Sequence, residues 1–536
     1  MATDGGLDAA IHDLFGDPLD AYDVALLPLP PEEMTCLDQQ AAGASLQDLL
    51  ARPDSSTSLQ LDTLNLFPSS SAYPGGTLYP LLDTFLDCLH ASMPFFMRSY
   101  LVDGITARRH HSSRAFDALL HAICALTLLQ PVQGGRSLRQ DRAQWAEQLM
   151  ARAIELHAHV NFGQEPTLED VMTSVFLFGC YFCRNAHNAA KVRLREAVAL
   201  ADVMGLYDPA SYQLVYAEEK DCRVRTLVVL TVIERIYAIQ RSYTLDFHLL
   251  GGREIGQLLE GTMRSAAAGD ETDYKAVEGL RHMIQQVDFI DNSVLRCWKE
   301  TCGLDVEAGG SGAGAGGGRQ QRHVPASTIR SLLVRYAAPP AMHALLSESQ
   351  LADITITRHW VMHVLWKLGF RHGYVDAASL DPEMRPDYAL DIAHNAALTC
   401  ERFSVKSLEV HGVGLAEKLY DIAMSALLVA ESYYFSSAYH SGSSDQAPLR
   451  EEEENSDGND VFAGFETAGA TGPALAPVLP TTHGAGWRGR WTRVAIRRLL
   501  NKYLAIFSLF RGGEHPFLRP YMQMLCVLDT GGADSV

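Results

Sequence analysis

No stretch of this sequence approaches the ~18–20 uninterrupted apolar residues that a helical membrane span requires. Met1-Ala2-Thr3-Asp4 does not lead a basic segment into an apolar one, so neither a secretory signal nor an Arg-rich transit peptide is expected there. Basic residues are in short supply: 44 Lys and Arg stand against 64 Asp and Glu, a formal charge of −20 over 536 residues. A chain this acidic does not bind nucleic acid through its average field, so DNA contact needs a local basic patch or a partner. Cysteine is thin as well, with ten residues scattered at positions 36, 88, 124, 180, 183, 222, 297, 302, 400 and 526. Several lie inside apolar runs, where a thiol behaves as a small hydrophobe; this argues against a disulfide scaffold and for reduced, buried thiols. Alternating strand patterns between hairpin turns are scarce. These deficits point to an all-α protein of the cytosol or nucleus, off the membrane.

What is present begins with apolar content, 47% of the chain, which excludes wholesale disorder. The length exceeds one compact core and suits two or three helical lobes plus tails. Residues 1–78 are acidic, with Arg52 the only Lys or Arg, and bulky side chains interleave with the acids. Leu14 and Phe15 sit beside Asp13 and Asp17, Leu26 and Leu27 beside Asp23, while Pro18, Pro28, Pro30 and Pro31 break any long helix. That composition reads either as a disordered activation segment that folds on a coactivator or as a solvated tail.

From residue 79 onward apolar residues recur at three- and four-residue steps: Leu81, Phe85 and Leu89, then Phe116, Leu119, Leu120 and Ile123. Thr167 is placed to cap a helix, apolar nearly all round, that runs to about Phe182. The next, about 188–204, presents Val192, Ala197, Val198 and Ala201 inward and stops at Gly205, with Leu206 set to pack back on its last turn. A third runs from about Glu218 to Arg241. The helical mass divides into residues 79–307 and 326–440, joined by a Gly-rich linker at 308–325. A disordered acidic and Gly/Pro-rich insertion at 441–486 precedes C-terminal helices at 487–528 and a tail at 529–536.

Chemical motifs are few. Gly312–Gly317 satisfies a dinucleotide fingerprint literally but follows no strand, so its backbone has no scaffold from which to approach a pyrophosphate. Cys180, Cys183 and His187 share a helical face, yet no fourth ligand is apparent, and the flanking aromatics indicate a packed helix. His359 and His363 lie one turn apart without a neighbouring carboxylate. No catalytic constellation, metal site or cofactor is expected, and the chain is not read as an enzyme. Arg490, Arg493 and Arg497 form a stripe, Arg488, Arg498 and Lys502 lie adjacent, and Leu499, Tyr503 and Phe507 make an apolar side. Such a helix either touches phosphate, a membrane surface or an import receptor, or is an ordinary amphipathic helix pairing with the protein's own acids. A pocket among Phe176, Phe178, Trp360 and Trp366 competes with a plain core reading.

The segments VFLFGCYFCRNAHNAAKVRLREAVALADVMGLYD (175–208) and CRVRTLVVLTVIERIYAIQRSYTL (222–245) resemble the fungal-specific transcription factor domain, the middle homology region of zinc binuclear cluster regulators. ITRHWVMHVLWKLGFRHG (356–373), SLEVHGVGLAEKLYDIA (407–423) and YLAIFSLFRGGEHPFLRPYM (503–522) resemble the later helices of a subgroup controlling sugar use and secondary-metabolite gene clusters. The resemblance implies a nuclear, pathway-specific regulator with a multi-helix body, partnered by coactivators or a DNA-bound transcription factor, as a homo- or heterodimer. Two departures stand out. Arg225-Thr226-Leu227 replaces the family's aromatic-rich step and reads as a packing change, and the six-cysteine C-x2-C-x6-C cluster is absent. The given sequence is therefore not expected to read DNA alone. Either a zinc-cluster segment lies outside it or it acts as a non-DNA-binding co-regulator.

Overall fold

The computed structural model describes residues 78–130, 136–158, 162–213, 215–241, 243, 252–267, 270–302, 323–338, 346–435 and 491–530. Among the described residues every regular element is helical. The chain opens with α1 (Tyr79–Thr84), continued by a π turn at Phe85–Leu89, then α2 (Arg98–Thr106), α3 (Arg114–Leu129) and α4 (Arg136–His157). Next come α5 (Leu168–Cys183), α6 (His187–Val203), α7 (Ala217–Gln240), α8 (Gly252–Ala267), α9 (Glu271–Val287) and α10 (Asn292–Trp298). Beyond the Gly-rich segment lie α11 (Ala326–Ala337), α12 (Glu348–Arg371), α13 (Tyr388–Arg402), α14 (Gly412–Phe435), α15 (Arg493–Leu509) and α16 (Leu518–Thr530).

Local sequence sets the ends. Thr167 and Asp170 form a reciprocal capping box at the start of α5, satisfying two amides that the helix leaves without partners. Ser347 and Gln350 do the same for α12. Gly205 adopts φ +70°, and the Leu206 amide donates to the Ala201 carbonyl at 3.0 Å while the Leu206 side chain is fully buried. This is the left-handed stop expected at that position. The inward face of α6 is partly different from the expected one. Val192 is 65% exposed and Leu194 and Ala190 are buried, because Ala190, Leu194, Ala197 and Ala201 follow the three- and four-residue steps that Val192 breaks.

Helix α5 is buried along most of its length and packs between α3 and α6, with α7 crossing it. Around α12, the later helices α11, α13 and α14 assemble, and α15 and α16 close on α14. The two sets are not separate bodies in their packing: buried apolar side chains from Leu81 to Leu528 make one continuous cluster. Polar ties cross the same junction. Gln350 at the start of α12 donates to the Lys275 carbonyl of α9 at 2.8 Å, lying where any side chain on Gly279 would stand. Arg511 hydrogen-bonds the Leu129 carbonyl, and its own amide donates to Glu409 at 2.7 Å.

Leu14, Phe15, Leu26, Leu27, Arg488 and Arg490 lie outside the described residues, as do the Gly run 308–318 and the insertion 441–486. Helix α15 starts at Arg493, capped by Thr492 Oγ1 on the Ala495 amide, and α16 ends at Thr530.

Candidate functional site

Where the early and late helices meet, a half-open cavity of about 240 Å³ remains. Its walls are apolar: Val175, Phe178 and Phe182 from α5, Ile233 and Tyr237 from α7, and Met283 from α9. One side carries polar groups, chiefly Gln350 and Asp353 of α12, His411 before α14, and Lys418 of α14. Backbone geometry fixes this side. Gly412 has φ +61°, and a β-carbon there would collide with the amide of Gln130, so the chain turns into α14 closely enough to bring His411 and Lys418 to the cavity.

The polar side is a network. Lys418 Nζ lies 3.2 Å from Asp353 Oδ1 and donates to Thr357 Oγ1 at 2.6 Å, while Thr357 donates to Asp353 at 3.1 Å. Burial alone would raise the Asp353 carboxyl; the Lys418 charge, aided by His411 and these hydrogen bonds, holds it below its ordinary value. His411 Nε2 lies 2.8 Å from the Ser349 carbonyl, which makes Nε2–H the donor and leaves Nδ1, 3.5 Å from Ser92 Oγ, as an acceptor. Burial pushes this imidazole's pKa down, against the pull of Asp353, which favours the neutral ring.

Behind this layer α14 carries two more acids, Glu417 fully buried and Asp421 half-buried. Glu417 pairs with Arg241, the residue that ends α7, one oxygen at 3.0 Å, and burial pushes its pKa up to about 7 despite that guanidinium. Asp421 accepts from Trp360 Nε1 at 2.8 Å. A helix with Glu417, Lys418 and Asp421 on buried surface holds its charges only because α7 and α12 supply their partners. Chemically, the cavity offers apolar walls, amide and imidazole hydrogen-bonding groups, and an internally neutralised ion pair. It can hold a small neutral molecule with hydroxyls on one side.

The four aromatics weighed as pocket or core divide between the two. Phe178 lines the cavity, but Phe176 packs against Phe85 and Phe95, Trp360 is tied to Asp421, and Trp366 donates to the Arg385 carbonyl at 2.9 Å. The two tryptophans belong to the core of the late helices. Cys183 accepts from Gln130, and His187 stands 3.3–3.4 Å from Arg241, whose charge adds to burial in lowering that imidazole to about 4. His359 meets Thr399 Oγ1 at 3.2 Å, and His363 is buried beside it.

On α15, Leu499, Tyr503 and Phe507 face the core as expected. Arg493 and Arg498 are exposed and Arg497 is half-buried, while Lys502 pairs with Glu401 at 2.7 Å. The basic row thus spends part of its charge on the protein's own acids.

No family model matches the chain, and no solved structure matches it. Over 277 residues it is similar, at 19% identity, to a probable sucrose utilization protein SUC1 of Candida albicans. That match covers 51% of this chain and 49% of the relative, so the chain spans about half the length of the curated protein it matches.

Proposed function

We propose that the chain is the regulatory body of a fungal transcriptional regulator, and that the cavity between its early and late helices receives the small molecule to which it responds. The observation that carries the reading is the make-up of that cavity, with apolar walls from the early helices facing the Asp353–Lys418–His411 side of the late ones, so that an occupant bears on how the two sets pack. An effector alters a regulator only by binding one arrangement better than another, and a site shared by two packed sets is where such a difference arises. The match to a sucrose utilization protein supports carbon-source genes as the regulated class. The neutral, hydroxyl-tolerant lining supports a sugar or polyol as the occupant. The chain then acts in the nucleus, with coactivators or a DNA-bound factor as partners. The net charge of −20 favours promoter contact through a DNA-bound partner or a separate zinc-cluster module, over contact through this body.

The test fuses the full chain to a foreign DNA-binding domain in a fungal host and follows a reporter through a change of carbon source. Gly414 borders the cavity, and a β-carbon there would make only ordinary contact with Phe182, at 3.7 Å. Gly414→Leu should therefore leave thermal unfolding close to wild type while filling the cavity and flattening the reporter's response by tenfold or more. A reporter indifferent to carbon source with the wild-type fusion, or an undiminished response in a folded Gly414→Leu protein, would overturn the reading.

A further inference from the structure

Four metal-binding side chains converge away from the cavity, at the two ends of the Gly-rich segment. The donor atoms of Cys297, Cys302, His323 and His372 all lie within 4.8 Å of one another. We propose that these residues form a structural zinc site of the Cys2His2 type, which clips the end of α10, the chain beyond the Gly-rich segment and the end of α12 into one joint.

The donor set and its spacing both argue for zinc. Zn–S bonds of about 2.3 Å and Zn–N bonds of about 2.0–2.1 Å place tetrahedral donors about 3.3–3.8 Å apart. His323 Nδ1 is already 3.0 Å from Cys302 Sγ, and the two imidazole rings are 5.4 Å apart, centre to centre. Two thiolates balance the charge of the ion, and two thiolates with two imidazoles in a tetrahedron select zinc over hard cations that prefer oxygen.

The surroundings are those of ligands held in place. The Val324 amide donates to Cys297 Sγ at 3.2 Å, the outer contact that steadies a bound thiolate. His372 Nε2 is buried and has no hydrogen-bond partner among the described residues. Imidazole nitrogen in that condition costs free energy unless it meets a proton donor or an ion. Glu300, at φ +58°, turns the chain so that Cys302 comes back toward Cys297. Opposite them, Arg371 stacks at 4.7 Å over Trp298 and donates to the Trp298 carbonyl at 2.7 Å, docking the end of α12 on α10 beside the four donors. His323 is exposed, which leaves the ion a way in.

The sequence spacing hides this site. The pair reads C-x4-C, but the first histidine comes only after the Gly-rich segment and the second at the far end of α12. It shares nothing with the six-cysteine cluster of the resembled regulators, whose ligands form one contiguous segment. Its consequence is mechanical: an ion held only by the folded arrangement ties Cys297 and Cys302 to His323 and His372, and its binding free energy adds to the stability of the fold.

The full chain, purified under reducing conditions after growth with added zinc, should carry one equivalent of zinc by elemental analysis. Cobalt exchanged into it should show the visible bands of a tetrahedral site with sulfur-to-metal charge transfer. His323→Ala, at an exposed position, and Cys302→Ser should each drop retained zinc at least tenfold. Cys180→Ser, remote from the site, should retain it. Chelation should lower the melting temperature of wild type and leave His323→Ala unmoved. Substoichiometric zinc in wild type, zinc undiminished in folded His323→Ala and Cys302→Ser, or a Cys297–Cys302 disulfide in metal-free protein under these conditions would overturn the site.

Discussion

Arg225 shows what a single residue is made to carry. It is fully buried in α7, with Nε donating to Asp221 at 2.6 Å and its two terminal nitrogens to Asp273 at 2.9 and 2.6 Å. The sequence presents Asp221 and Arg225 one helical turn apart, which is legible, but Asp273 belongs to the first turn of α9 and no spacing rule reaches it. Read from sequence, the Arg225-Thr226-Leu227 step is a change of packing; in the structure it is the fork that pins α7 to α9. Removing the guanidinium strands two carboxylates in the interior, a loss of about 3–5 kcal/mol. Arg225→Met should show that loss in urea unfolding of the full chain. Arg225→Lys should fall between, because one ammonium cannot make the paired contacts to Asp273. An Arg225→Met protein within about 1 kcal/mol of wild type would mean that the carboxylates escape by taking protons.

At the scale of the element, α14 is both the most and the least legible helix. Its existence follows from apolar residues at three- and four-residue steps, and Leu415, Leu419, Ile422 and Ala426 are indeed buried. Its buried charges do not follow. No spacing rule places the partners of Glu417, Lys418 and Asp421, because Arg241, Asp353 and Trp360, which meet them, are all distant in sequence. The cavity was missed for the same reason: its polar side depends on α12 and α14 being neighbours. Glu417 gives the element a measurable signature. Its ordinary value of 4.5 is raised to about 7 in the fold, with burial as the largest cause. The folded state therefore holds that proton more tightly than the unfolded chain does. The stability this contributes is full below about pH 4.5 and is lost as pH rises through 7. Measured against Glu417→Gln, wild type should lose up to about 3 kcal/mol of relative stability over that window. A difference between the two proteins that does not change with pH would show that Glu417 stays ionised throughout.

Across the whole molecule, continuity of the core makes the early and late helices unfold together, and their buried histidines should set its response to acid. His90, fully buried and 2.7 Å from the Phe96 carbonyl, is lowered to about 4, mainly by burial. His359 is lowered by the same cause to about 3, and His363 lies well below its ordinary value. The sign is opposite to that of Glu417. In the unfolded chain each imidazole takes a proton near 6.5, whereas the folded protein excludes it, so stability is present above that pH and declines as pH falls toward 4. At pH 5 each such group costs about 2 kcal/mol relative to pH 7, and His90 and His359 together outweigh the gain from one glutamate. These two residues lie in the early and late helices, so a cooperative molecule registers both in a single transition. The urea midpoint of the full chain should fall between pH 7 and pH 5. His90→Gln, which can keep the donor to the Phe96 carbonyl, should recover part of that fall, and His359→Gln another part. A midpoint that holds steady or rises on acidification would show that the imidazoles are protonated within the folded core. Two separate transitions, each sensitive to only one substitution, would show instead that the common core does not couple the early and late helices.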